Sequence, residues 1–273
     1  MTDTTVLGEE ILQAALELAK RNWQERLVAA YALGSLAHGG FSEVSDVDLA
    51  LVLGDPLSPT DSAGVADLVA AIKSRARPFS ERLSVFWGSV STLSGASAGG
   101  RFPPLDRLDL KQYGRLLAGR DVREHVLAPS REELVVAAAE HALSRLATDD
   151  ALDKIKSPEL LGRSDARTVT KLILFPVRFL YTARTGEVGR NEAAVAHFAS
   201  AAKDPAAAEL AMRALGWRNG ASRGLGAGAV PAIAAGLLPL YQEFLEDHEG
   251  RLQEYQRHDL AEGFNQWRQR LMC

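Results

Sequence analysis

The chain has 273 residues, 47% of them hydrophobic, and its 31 Lys and Arg against 35 Asp and Glu leave a net charge of −4. That length suits one large or two modest cores, and the acidic balance argues against a long nucleic acid as partner, which needs clustered cations to displace counterions. No apolar stretch reaches membrane-spanning length, residues 1–5 lack the basic start of a signal peptide, and the single cysteine, Cys273, allows neither a disulfide framework nor a cysteine metal site, so a cytoplasmic protein is expected.

Residues 9–22 place Ile11, Leu12, Ala15, Leu18 and Ala19 at helical spacing and predict an amphipathic opening helix. A strand over 27–33 delivers Gly34, and a second apolar strand over 46–53 ends at Gly54-Asp55-Pro56. A helix over 60–74, with Val65, Leu68, Val69 and Ile72 on its buried side, leads to a third strand at 82–87. Residues 89–100, rich in Ser, Gly and Ala, read as a flexible loop, and 101–110, with its Pro103-Pro104 pair, as the approach to an edge strand. This order fits an α/β (α+β) domain, a small mixed sheet backed by helices.

Ala128-Pro129-Ser130 marks a boundary, giving domains at 1–128 and 129–273. Ser130 followed by Glu133 forms a capping-box pattern for a helix to about residue 147, carrying Glu140 and His141. Residues 168–184 form a strongly apolar helix in which Pro176 predicts a kink, and Lys171 and Arg178, two turns apart, share a face. That face neutralises a triphosphate if turned to one and is otherwise ordinary solvated charge. Thr185-Gly186 ends the helix and 193–202 forms the next. Residues 218–228 are Gly-rich, but no strand precedes them and no lysine follows in register, so they read as an interhelical loop. Two helices, 237–249 and 251–271, complete an all-helical C-terminal domain.

The most informative segment is 34–53. Strand alternation puts Asp46 and Asp48 side by side with Val47 packed behind them. Two carboxylates that close repel unless a cation or proton lies between them, and hard oxygen ligands suit Mg²⁺ or Mn²⁺ bridging to phosphate. A helix beginning at Ser35 aims its positive end at an anion, and Gly34 lets a phosphate approach. The competing reading, in which Ser35 merely caps a helix and the aspartates sit in a solvated turn, is opposed by the unbroken apolar run 49–53.

This pattern of a hydrophobic residue, Gly-Ser and then Asp-x-Asp on a strand resembles the polymerase-β-type nucleotidyltransferase superfamily, in its small bacterial branch that includes the aminoglycoside nucleotidyltransferases. The tight match covers 31–53, 111–121 resembles the short helix and Gly-Arg-Asp turn that closes the catalytic domain of those enzymes, and 171–198 is loosely similar to their helical substrate-side domain. The resemblance implies a transferase moving a nucleoside monophosphate, AMP from ATP or another NTP, to a hydroxyl of a small acceptor such as an aminoglycoside. The implied site comprises catalytic Asp46, Asp48 and Glu140; nucleotide-binding Gly34, Ser35, Ser45, Lys171 and Arg178; and Mg²⁺ (or Mn²⁺) on Asp46 and Asp48. The sequence departs from the family at Ser84, where members carry a third acid on the third strand; a hydroxyl can neither supply anionic charge nor take a proton near neutral pH. Three explanations stay open: two carboxylates with the nucleotide's phosphates suffice, Glu81, Asp106 or Asp109 substitutes, or catalysis is lost. Alternatives of another class are a protein-adenylylating enzyme of toxin-antitoxin type and a nucleotide-binding sensor.

Overall fold

The computed structural model describes residues 3–220 and 224–272. The chain divides into two compact units, Met1–Pro129 and Ser130–Cys273. The first runs α1 (Thr4–Trp23), β1 (Leu27–Leu33), α2 (Ser35–His38), β2 (Val47–Leu53), α3 (Asp61–Lys73), β3 (Leu83–Ser89), α4 (Val90–Leu93), α5 (Pro104–Tyr113) and β4 (Arg115–Gly119). Its strands form one mixed sheet in the order β3-β2-β1-β4, with β2 and β3 parallel and the other pairs antiparallel. A parallel pair needs a crossover, and α3 supplies it.

Alternation along β2 sorts the core into two layers. Val47, Leu49, Leu51 and Leu53 pack with Ile11, Leu12 and Ala15 of α1 and Leu68 and Ile72 of α3. On the other face Ala50 and Val52 pack with Tyr31, Leu33, Phe86 and Leu110. Asp48 has the parity of this second face.

Three expectations are corrected here. Residues 101–110 do not approach an edge strand but enter α5, because Pro104 occupies the first helical turn, where its missing N–H and fixed φ favour a helix. The edge strand is instead β4, inside the segment expected to be a short helix and turn; it pairs with β1 from Ala29↔Gly119 to Ala32↔Arg115. The expected loop at 89–100 opens with α4, capped reciprocally by Ser89 and Thr92.

The second unit contains α6 (Arg131–Arg145), α7 (Asp149–Lys156), α8 (Pro158–Gly162), α9 (Ala166–Thr185), α10 (Asn191–Ala201), α11 (Pro205–Asn219), α12 (Ala229–Glu254) and α13 (His258–Met272), and no strand among the described residues. The capping box of Ser130 and Glu133 starts α6, and Gly186, left-handed at φ +79°, ends α9. Pro176 lies inside α9, where it denies the Leu172 carbonyl its helical partner. The buried Tyr241 hydroxyl donates to that carbonyl at 2.8 Å. The expected break at 250 is absent: Gly250 sits within α12, and the chain turns instead near Gln256, at φ +58°. Of the Gly-rich segment, residues 221–223 lie outside the described residues, as does Cys273. Among the described residues no helix is long and apolar enough to cross a membrane.

Candidate functional site

Gly34 follows β1 and caps α2 at φ +60°, ψ −149°, a region that in practice only glycine occupies. Its N–H donates to Asp109 Oδ2 at 2.7 Å, and its carbonyl accepts from the N–H groups of Ala37 (2.9 Å) and His38 (3.1 Å). The β1–β2 register sets Leu33 opposite Asp48, so the Asp48 carboxylate lies against Gly34; a Cβ added there would meet Asp48 Oδ2 at 2.6 Å. A side chain at the turn is therefore opposed by the backbone conformation and would displace the adjacent carboxylate.

Asp46 and Asp48 are half-buried on either side of fully buried Val47. The turn before them is closed by Ser45 N donating to Ser42 O at 3.0 Å and by Ser42 N donating to Ser45 Oγ at 2.9 Å. Ser45 is 2% exposed, so its side chain shapes the approach to Asp46 from within. In the parallel β2–β3 register Ser84 is the partner of Asp48, which places its hydroxyl on the carboxylate's face of the sheet. Of the acids that could replace it, Glu81 is exposed in the turn before β3, whereas Asp106 and Asp109 stand one turn apart on α5. Asp109, 8% exposed, is the one brought to Gly34. Among the described residues no group of three or more His, Cys, Asp or Glu side chains is arranged to hold a metal. A hard cation such as Mg²⁺ takes its remaining oxygens from phosphates and water where a protein offers few carboxylates, and Asp46 and Asp48 are the two that the start of β2 could offer one.

In the helical unit, Lys171 Nζ lies 5.7 Å and Arg178 Cζ 5.8 Å from the Phe175 ring centre, so the two cations share a face of α9. Arg178 Nε also donates to the Gly189 carbonyl. The His141 ring meets Phe175 and Phe179 edge-on at 5.6 and 5.9 Å. Its pKa is lowered first by burial of the ring and then by the charges of Arg145, Lys171 and Arg178. Glu140, one residue earlier, is exposed, with Oε1 3.8 Å from Arg257 Nη2.

No protein-family model and no curated protein matches this chain. Among solved structures, the crystal structure of spectinomycin adenyltransferase AAD(9) from Enterococcus faecialis with ATP and spectinomycin matches over 85% of this chain and 98% of that one, with a TM-score of 0.58 and 14% identity. The chain shares the fold of that adenyltransferase. Because 85% exceeds the share of either unit, the likeness to the nucleotidyltransferase extends into both. The contact of Asp109 with Gly34 spans 75 residues and has no local signal in the sequence, which marks Asp109 only as one acid among several.

Proposed function

We propose that the chain is a Mg²⁺-dependent nucleotidyltransferase that moves a nucleoside monophosphate, AMP from ATP in the first instance, to a hydroxyl of a small acceptor of the aminoglycoside type. The observation that carries this reading is the Asp48 carboxylate lying against the bare Gly34 turn, with Asp46 two residues before it, on a nucleotidyltransferase fold. Residues 1–128 are the nucleotidyltransferase domain and 129–273 the substrate-side domain.

Asp46 and Asp48 would hold the metal, which when bound would neutralise developing charge on the phosphoryl oxygens. Gly34 and Ser35 are assigned to the triphosphate, which the bare Gly34 lets approach the turn, and Ser45 holds the turn that delivers Asp46. Lys171 and Arg178 are assigned to the phosphates, an assignment supported by their shared cationic face. In the transfer, the acceptor oxygen bonds to the α-phosphorus as the bond from that phosphorus to the bridging oxygen breaks. Pyrophosphate leaves with the electron pair, and the hydroxyl proton passes to Glu140.

Incubation with labelled ATP, Mg²⁺, an aminoglycoside panel and cell lysate tests the reading. Label on a small molecule is expected; label on a polypeptide supports a protein acceptor instead. Asp46→Ala and Asp48→Ala should abolish transfer without unfolding the chain, and full activity in either refutes the site. A second reading, nucleotide binding without turnover, is favoured by Ser84 beside Asp48, where a hydroxyl gives neither charge nor base. Retained ATP binding with no labelled product under all conditions supports it.

A further inference from the structure

The segment between α2 and β2, residues 39–46, has no regular structure and begins with two glycines at positive φ, Gly39 at +92° and Gly40 at +79°. Such a segment has many alternatives to the conformation that places Asp46, and fixing each residue costs about 1–2 kcal/mol of entropy. Something outside the segment must hold it. Arg82, immediately before β3, does so from two sides: its Nη1 donates to the Glu43 carbonyl and, at 3.4 Å, to the Ser45 carbonyl, while its guanidinium lies 5.3 Å over the Phe79 ring.

Phe79 in turn packs on Phe41 of the same segment, ring centres 5.1 Å apart. It does so from a left-handed backbone, φ +67° and ψ −8°, a conformation that costs a residue with a side chain about 1–2 kcal/mol. Phe41 is seated against Gly8 of α1, where an added Cβ would come within 2.6 Å of the ring. The strained Phe79 thus completes a clamp of one cation and two rings. At its Ser45 end the clamp reaches the peptide that leads into Asp46. The carbonyl of Ser45 and the N–H of Asp46 belong to one rigid plane. With Ser45 N and Oγ already engaged by Ser42, the contact to its carbonyl sets the direction in which the Asp46 side chain leaves the backbone.

We infer that Arg82 is a positioning residue that orients the Asp46 carboxylate for metal by clamping the 41–45 turn, an inference that rests on the proposed metal and nucleotide site. An arginine is required because its flat fork presents donors to carbonyls and a face to a ring, whereas lysine supplies a single point of charge.

The test is calorimetric titration of Mn²⁺ into the full chain saturated with α,β-methylene-ATP, which binds without turnover, alongside thermal melting. Arg82→Ala should weaken Mn²⁺ about 10- to 100-fold, the loss typical when a group orienting a metal ligand is removed. Arg82→Lys should recover part of it. In an Asp46→Asn background, which keeps one oxygen donor, Arg82→Ala should add no further loss, because its effect passes through Asp46. Wild-type Mn²⁺ affinity in a folded Arg82→Ala overturns the inference and leaves the proposed function standing. An equal loss in both backgrounds also overturns it, since the effect is then structural. Failure of the wild-type chain to bind Mn²⁺ with the analogue overturns both.

Discussion

Gly34→Ala separates two consequences of the same geometry. At φ +60°, ψ −149° an alanine backbone is strained by about 1–3 kcal/mol. Its methyl also falls 2.6 Å from Asp48 Oδ2, well inside contact distance. The aspartate terminus can rotate away, whereas the turn, held by the Gly34 N–H to Asp109 and by two N–H groups on its carbonyl, cannot. The strain therefore emerges as lost stability and the clash as a displaced carboxylate. Urea denaturation should show the loss of about 1–3 kcal/mol both in the native background and in Asp48→Ala, where the clash is gone. Binding of Mn²⁺ with a non-reacting ATP analogue should fall in Gly34→Ala beyond anything the stability loss explains, and transfer should fall roughly 100-fold if the carboxylate moves by about 1 Å. A Gly34→Ala chain with wild-type stability and wild-type Mn²⁺ affinity refutes the account of the turn.

Asp109→Ala leaves the Gly34 N–H without its acceptor and should cost about 1–3 kcal/mol in urea; Asp109→Asn, which keeps an acceptor oxygen, should recover most of it, and equal losses would refute the hydrogen bond as the cause. Asp61, 2% exposed, accepts from both Nη atoms of Arg26 (2.8 and 2.9 Å), Trp23 Nε1 (2.9 Å) and Ser58 N (2.7 Å). Asp61→Ala should cost about 3 kcal/mol by calorimetry, the low end for a broken buried pair because Arg26 is partly solvated. The hydrogen bonds from Arg26 hold the Asp61 carboxyl below its ordinary pKa, so its contribution is present above about pH 4 and lost as pH falls through its folded value. His248 is fully buried, its ring parallel to Phe264 at 5.9 Å, and burial pushes its pKa down to about 4. The unfolded chain then binds the extra proton between about pH 6.5 and 4, so stability should decline across that window by about 3 kcal/mol. His248→Phe should flatten the decline, and an unchanged slope would refute its origin in His248.

The sequence discloses most where a local rule decides. The run 27–33 and the apolar run ending at 53 become strands because nothing but a buried sheet absorbs them, and the capping box at Ser130 starts α6 as its side chains require. It misleads where one residue admits two readings. Pro103-Pro104 suits an extended approach or a helix start, and the choice falls to Leu108 and Leu110, which are buried only once α5 forms. Arg115–Gly119 carries no strong strand signal and is a strand because the edge of β1 is there to pair with it. Gly250 is tolerated within α12 because packing along that helix outweighs the roughly 1 kcal/mol it costs. At the proposed site, spacing alone supplies Asp46, Asp48 and the Gly34 turn as candidates, while the contacts made by Asp109 and Arg82 come from distant segments and depend on the fold alone.

The placement of Ser84 and Asp109 sharpens the charge balance of the proposed site. Ser84 stands beside Asp48 in the register and contributes no anion, and Glu81 is exposed before the strand begins. Asp109 does bring a buried carboxylate to the turn, but its Oδ2 is directed at the Gly34 N–H. That contact removes one backbone donor a phosphate could have used and gives the turn its orientation instead. Such an exchange suits a site whose negative side chains are few: in the proposed site, with Asp46 and Asp48 as its carboxylates, a bound nucleotide's own phosphates would complete the oxygen shell of a hard cation. Affinity for metal and affinity for nucleotide are then strongly coupled, each raising the other by the same factor, as linkage requires. A site with a third acid at position 84 would hold metal more independently of the nucleotide. In the proposed site the serine would make the nucleotide part of the metal's oxygen shell.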